Sequence, residues 1–152
     1  MGSNLIKRQF AVTRKSIVSI LEGVTPEVFE SIPEGFNNNI HWQLGHILSA
    51  GELFLFNGQK NLPDNFNENF ASGTKPADWT NDVPSVEEIL EKLQEQLQRI
   101  NEISDESLQV QLEKPFIGNK TVGELAAFGA FHEAMHLGQI QILKRLIQSK
   151  QA

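Results

Sequence analysis

Four stretches of this chain repeat apolar residues at intervals of three and four, the spacing that lines side chains along one face of an α-helix. That repetition constrains the fold more than any other feature of the sequence. The first stretch spans residues 4–22, with Ile6, Phe10, Ile17 and Leu21 on its stripe and Gly23 as its stop. Thr25-Pro26-Glu27 then reads as the cap, first-turn proline and first-turn acid of a short helix. The second stretch spans residues 39–56. Asn37, Asn38 and Asn39 are candidate caps, the stripe is Ile40, Leu44, Ile47, Phe54 and Leu55, and Asn57-Gly58 ends it. The third opens at Pro84-Ser85 with a capping box from Ser85 to Glu88, and continues with Val86, Leu90, Leu93, Leu97 and Ile100. The fourth opens with a second capping box, Thr121 to Glu124, and runs to about residue 148, with Leu125, Phe128, Leu143 and Leu146 on its inner face.

A length of 152 residues suits one domain, taken as residues 1–152. No strand pattern is strong enough for a sheet. The expected class is all-α, a four-helix bundle with a long crossover loop between the second and third long helices. That loop, residues 58–84, is rich in Asn, Pro, Gly and Asp, yet holds Phe66, Phe70 and Trp79. A loop this long is uncommon unless it has work to do. Its aromatics should pack down, either over a site as a lid or simply over the core. The connection across residues 104–120 contains Pro115 and a turn-like Gly118-Asn119.

Lys plus Arg number 13 against 19 Asp plus Glu, a net charge of −6, so nucleic acid is not an expected partner. The chain has no cysteine, which excludes a catalytic thiolate, a Cys-ligated zinc, an iron–sulfur cluster and a disulfide. No apolar run approaches the length of a membrane span and residues 1–10 show no signal-peptide core, so no membrane partner and a cytoplasmic location are expected.

The chemistry should lie with the four histidines. His132-Glu133-Ala134-Met135-His136 puts two imidazoles one helical turn apart, about 40° around the axis. Both fall on the inner stripe of the fourth helix. Two polar rings on an apolar face are costly to bury unless satisfied. One divalent ion would satisfy both at once, and separate buried hydrogen-bond partners, with Gln139 as a candidate, would also do so. The string matches H-E-x-x-H, which raises a zincin peptidase with Glu133 as base. The 16 residues after His136 contain no His, Asp, Glu or Cys, and Ile142 stands where a metzincin needs its third histidine. A third ligand must come from upstream. His46 sits mid-helix beside Gly45, with Ala50 and Leu53 on its side. His41 lies near the helix start, towards Glu52, and is expected to meet solvent. The helical wheel leaves both open.

At these residues the chain resembles the DinB-like superfamily, which includes the YfiT-type bacillithiol transferases and the mycothiol-dependent maleylpyruvate isomerases. The resemblance rests on Trp42-x-x-Gly45-His46-Ile47 and on His132-Glu133-x-x-His136-x-Gly138-Gln139-Ile140, and the helix order extends it over nearly the whole chain. It implies a four-helix bundle, often dimeric, with one divalent metal ion held by His46, His132 and His136, zinc or nickel being the plausible ions. It further implies a transferase that activates a low-molecular-weight thiol against an electrophilic substrate. The lack of cysteine agrees with a thiol supplied by a cosubstrate. Glu133 is a candidate base or support for a ligand histidine, or else a solvated carboxylate. Gln139 is a candidate for orienting a ligand or substrate, and Trp42 for lining the cofactor pocket. A metal-dependent hydrolase using bound water, and a non-enzymatic metal-binding module, are the competing readings.

Overall fold

The computed structural model describes residues 2–80 and 82–152. Helices dominate it. In chain order they are α1 (Gly2–Leu21), α2 (Pro26–Glu30), α3 (Ile40–Leu55), α4 (Asp64–Phe70), α5 (Val86–Asn101), α6 (Asp105–Leu108) and α7 (Val122–Gln151). The four long ones are those that the apolar periodicity predicts. Three of them begin where side chains can satisfy free backbone N–H groups. Asn39 accepts from Trp42 N, Ser85 accepts from Glu88 N, and Thr121 with Glu124 closes a complete capping box. Thr25 precedes α2 as expected but makes no side-chain cap.

α3 packs against α7 and α5, and α1 packs against the same two helices. The main core lies among them, with Ile17, Ile40, Leu44, Ile47, Leu48, Ile89, Ile140 and Leu143 essentially removed from solvent. Leu146, expected on the inner face of α7, is exposed, and Ile140 and Ile147 are buried in its place. Leu125 and Leu143 are buried as the wheel reading has them, so the stripe departs from it towards the end of α7.

The connection across residues 58–84, of which residue 81 lies outside the described residues, is partly ordered. It forms α4 and a short 3₁₀ turn at Pro76–Asp78. Phe66 and Phe70 reach 0% exposure, each contributing about 1.5–3 kcal/mol of apolar burial, and Trp79 packs beside them. Gly45 on α3 makes this docking possible, because a Cβ there would overlap the Phe70 ring.

The expectation of no sheet needs correction. Residues Gln111–Phe116 (β1) and Asn119–Thr121 (β2) pair antiparallel as a hairpin. Its turn places Ile117 and Gly118 at φ of 51° and 76°, the left-handed pair of a tight hairpin turn. Both strands are largely exposed, so they carry no apolar alternation, and Pro115 sits inside the first.

Candidate metal centre

His46 lies in the middle of α3, and His132 and His136 stand one turn apart on α7, the helix against which α3 packs. Their ring nitrogens converge. His132 Nε2 is 3.4 Å from His46 Nε2 and 3.2 Å from His136 Nε2, and one nitrogen from each ring lies within 4.8 Å of the others. His46 and His136 are buried, while His132 is half-buried with its ring edge-on to Phe54 at 5.3 Å between centroids.

The far side of two rings is fixed. His46 Nδ1 donates to the Phe70 carbonyl at 2.8 Å, an atom that can only accept. His136 Nδ1 lies 2.6 Å from Gln43 Oε1. The Gln43 amide nitrogen donates to Asn38 Oδ1 and Gln139 Oε1, so its oxygen is the end facing His136. Both imidazoles thus carry their proton on Nδ1 and turn an Nε2 lone pair towards His132. Trp42 lies flat on His46, 4.6 Å between centroids and 9° between planes, and donates its own Nε1–H to Thr74 Oγ1 at 3.0 Å.

Burial disfavours the imidazolium form throughout. It lowers His46 below the ordinary histidine value against the opposing Phe70 hydrogen bond. It pushes His132 down to about 4 and His136 down to about 3, with help from the neighbouring histidines. At neutral pH the cluster is therefore three uncharged rings whose facing nitrogens share at most one proton, that of His132. One proton cannot satisfy three facing nitrogens, whereas a divalent cation accepts all the lone pairs together, so the donor set fits a metal ion. Among the described residues this is the group of three or more potential ligand side chains that comes close enough to hold one.

The other candidates divide. His41, expected at the surface, is instead buried at 7% exposure and apart from the cluster. Its Nδ1 meets Glu30 Oε1 at 2.7 Å, its Nε2 meets the Pro84 carbonyl at 2.8 Å, and its ring packs edge-on to Trp79. It clasps α2 to the end of the long connection. Glu133 is not a solvated carboxylate, since it is 3% exposed. Arg14 of α1 holds it through Nε on one oxygen and through Nη2 at 3.3 Å on the other. Arg14 also donates to the Leu93 carbonyl at 2.7 Å and to Gln96 Oε1 at 2.6 Å. Burial pushes the Glu133 carboxyl up, and the Arg14 guanidinium opposes that shift. Gln139 reaches the cluster through Gln43. Gln43, Arg14 and the Phe70 carbonyl were not expected from the sequence. Gln43 had one visible signal, its place three residues before His46 on the same helix.

The model of the DinB superfamily matches residues 9–140 of this chain. No curated protein matches the sequence. Among solved structures, the crystal structure of a conserved protein from Enterococcus faecalis is similar, with a TM-score of 0.70, 15% identity and 97% of each chain covered, a likeness of fold.

Proposed function

This chain belongs to the DinB superfamily, and from that premise we propose that it is a metal-dependent enzyme, a transferase of thiol sulfur. His46, His132 and His136 would hold one divalent ion, zinc or nickel. The observation that carries the reading is the convergence of three Nε2 atoms while two of the rings spend their Nδ1 protons elsewhere. Three protein donors are the complement of a catalytic centre, since a closed structural site normally takes four. When bound, the ion supplies positive charge that favours the ionised form of a thiol or water beside it. With no cysteine in the chain, the sulfur belongs to a low-molecular-weight cosubstrate, and the other reactant is an electrophile.

The chain's own residues then divide the work. Phe70 and Gln43 hold two ligand rings at their proton-bearing edge. Trp42, flat against His46, supplies the apolar wall. Gln139 spends its amide oxygen on Gln43, which leaves its amide nitrogen to donate to an oxygen of the reactants. Glu133, with both oxygens on Arg14, sits outside the reacting set in this reading. The ring of pairings α3–α7, α7–α1, α1–α5 and α5–α3 supports a four-helix bundle, with residues 58–84 as its long crossover.

We further read the protein as a homodimer across the outer face of α1 and α7. Leu5, Val12, Phe131, Met135 and Ile142 are 45–63% exposed there. A groove of 660 Å³ runs between α1 and α7 there, with Leu5, Val12, Ala134 and the exposed Phe131 in its wall together with the polar Arg8, Gln9 and Thr13, so the face offers a recess and a large exposed ring. A two-fold interface needs that self-complementarity.

Elemental analysis of untagged protein tests the site. About one metal ion per chain in the wild type, lost in both His46→Ala and His132→Ala, is the expected result, since each variant removes one of three donors. Full metal content in either variant would overturn the ligand set. Turnover of an electrophile that requires added thiol supports the transferase, and turnover without thiol would replace it with a hydrolase.

A further inference from the structure

We propose that Gln43 is a positioning residue that sets the proton of His136 on Nδ1 and fixes which end of the Gln139 amide faces it. Gln43 is 1% exposed, yet every polar atom of its side chain is used. Its oxygen meets His136 Nδ1 at 2.6 Å. Its nitrogen has two hydrogens and two acceptors, Asn38 Oδ1 at 3.0 Å and Gln139 Oε1 at 2.8 Å. With the Asn38 and Gln139 oxygens facing it, turning the Gln43 amide over would set its oxygen against two other oxygens, so the orientation with the nitrogen towards them and the oxygen towards His136 is the one that fits these neighbours.

The consequence passes along the contacts in both directions. On one side, a neutral imidazole has one proton, and the Gln43 oxygen draws it to Nδ1, which leaves the Nε2 lone pair aimed at the cluster. On the other, Gln139 must present its oxygen to Gln43, so its NH₂ end is the one left over. Without Gln43 the His136 proton has a better place, because His132 Nε2 lies 3.2 Å from His136 Nε2 and accepts it once His132 carries its own proton on Nδ1. The ring would then donate where a ligand nitrogen has to accept. Gln43 is thus a tautomer lock for His136. The tautomer itself needs no metal, and only its effect on metal affinity rests on the reading of the preceding section.

The test is nitrogen-15 NMR of the histidine rings in metal-free protein at neutral pH, paired with zinc titration. In the wild type His136 should carry its proton on Nδ1. In Gln43→Leu it should move to Nε2, and zinc affinity should fall roughly 10- to 100-fold, the usual range for losing a partner of a ligand histidine. Gln43→Glu keeps an acceptor for Nδ1 and cannot donate to Gln139 Oε1. It should retain the Nδ1 proton and most of the affinity, and it serves as the informative variant if Gln43→Leu does not fold. A wild-type His136 protonated on Nε2, or an Nδ1 proton that survives in Gln43→Leu, would overturn the proposal. Wild-type protein that shows the expected tautomer but takes up no zinc would instead sink the metal reading alone.

Discussion

At the scale of single residues, what the sequence displayed and what it concealed differ by locality. The pair His132 and His136 was legible because its geometry lies within one helix. The ties that aim the rings were not, because the Phe70 carbonyl and the Gln43 amide come from other parts of the chain. His41 was misjudged for the same reason, since Glu30 and Pro84 cover it from elements that a single-helix wheel ignores. Two predictions belong here. Burial depresses His132 to about 4 and His136 to about 3 from 6.5 in the free side chain, so on acidification the unfolded chain binds protons first. Metal-free protein should hold this part of its stability above about pH 6.5 and lose it as pH falls towards about 3. Urea midpoints across pH should fall less steeply in His136→Asn than in the wild type, and identical slopes would refute the assignment. The second concerns Arg14 and Glu133. Arg14→Met strands a buried carboxylate and should cost about 3–5 kcal/mol, whereas the double variant Arg14→Met with Glu133→Leu should recover most of it. Denaturant unfolding of the set decides it, and a double variant no better than the single would refute it.

At the scale of elements, α1, α3, α5 and α7 were readable from periodicity and caps alone. The connections hid theirs. α4 is seven residues of Asn, Asp, Glu and Phe, helical because Phe66 and Phe70 find a core to enter and without intrinsic propensity to announce it. The hairpin buries little beyond Leu112, which packs against the Phe54 cluster, so only its turn left a trace. α7 misled at Leu146 because its outer face also carries large apolar residues, with Phe131, Met135, Ile142 and Leu146 exposed. At Gly45 the Phe70 ring leaves no room for a Cβ, and Gly45→Ala tests what that contact does. The added methyl overlaps the Phe70 ring, so the segment should lift and its carbonyl should leave His46. We expect a loss of about 1–3 kcal/mol in stability, together with roughly tenfold weaker zinc binding. Gly51→Ala, whose methyl meets the Gln96 side chain at 2.5 Å, should cost stability and leave zinc affinity unchanged. Equal zinc affinity in both variants would separate the long connection from the metal centre.

At the scale of the whole molecule, the apolar periodicity placed the chain correctly among mostly helical proteins, and among the described residues no helix is long and apolar enough to cross a membrane. The outer face of α1 and α7 makes a prediction about assembly. Val12→Glu and Ile142→Glu, at positions 57% and 52% exposed, should leave the fold intact and shift sedimentation from dimer to monomer. A wild type that sediments as a monomer at every concentration would end that reading. A last consequence follows from the carbonyl of Phe70. Being main chain, it survives every amino-acid exchange at position 70, and it goes wherever its segment goes. Grafting the three histidines onto a foreign helical scaffold would transplant the ligands and leave behind the atom that aims one of them. A designer borrowing this site must carry over the crossing segment around residue 70 as well, small residue beneath it included.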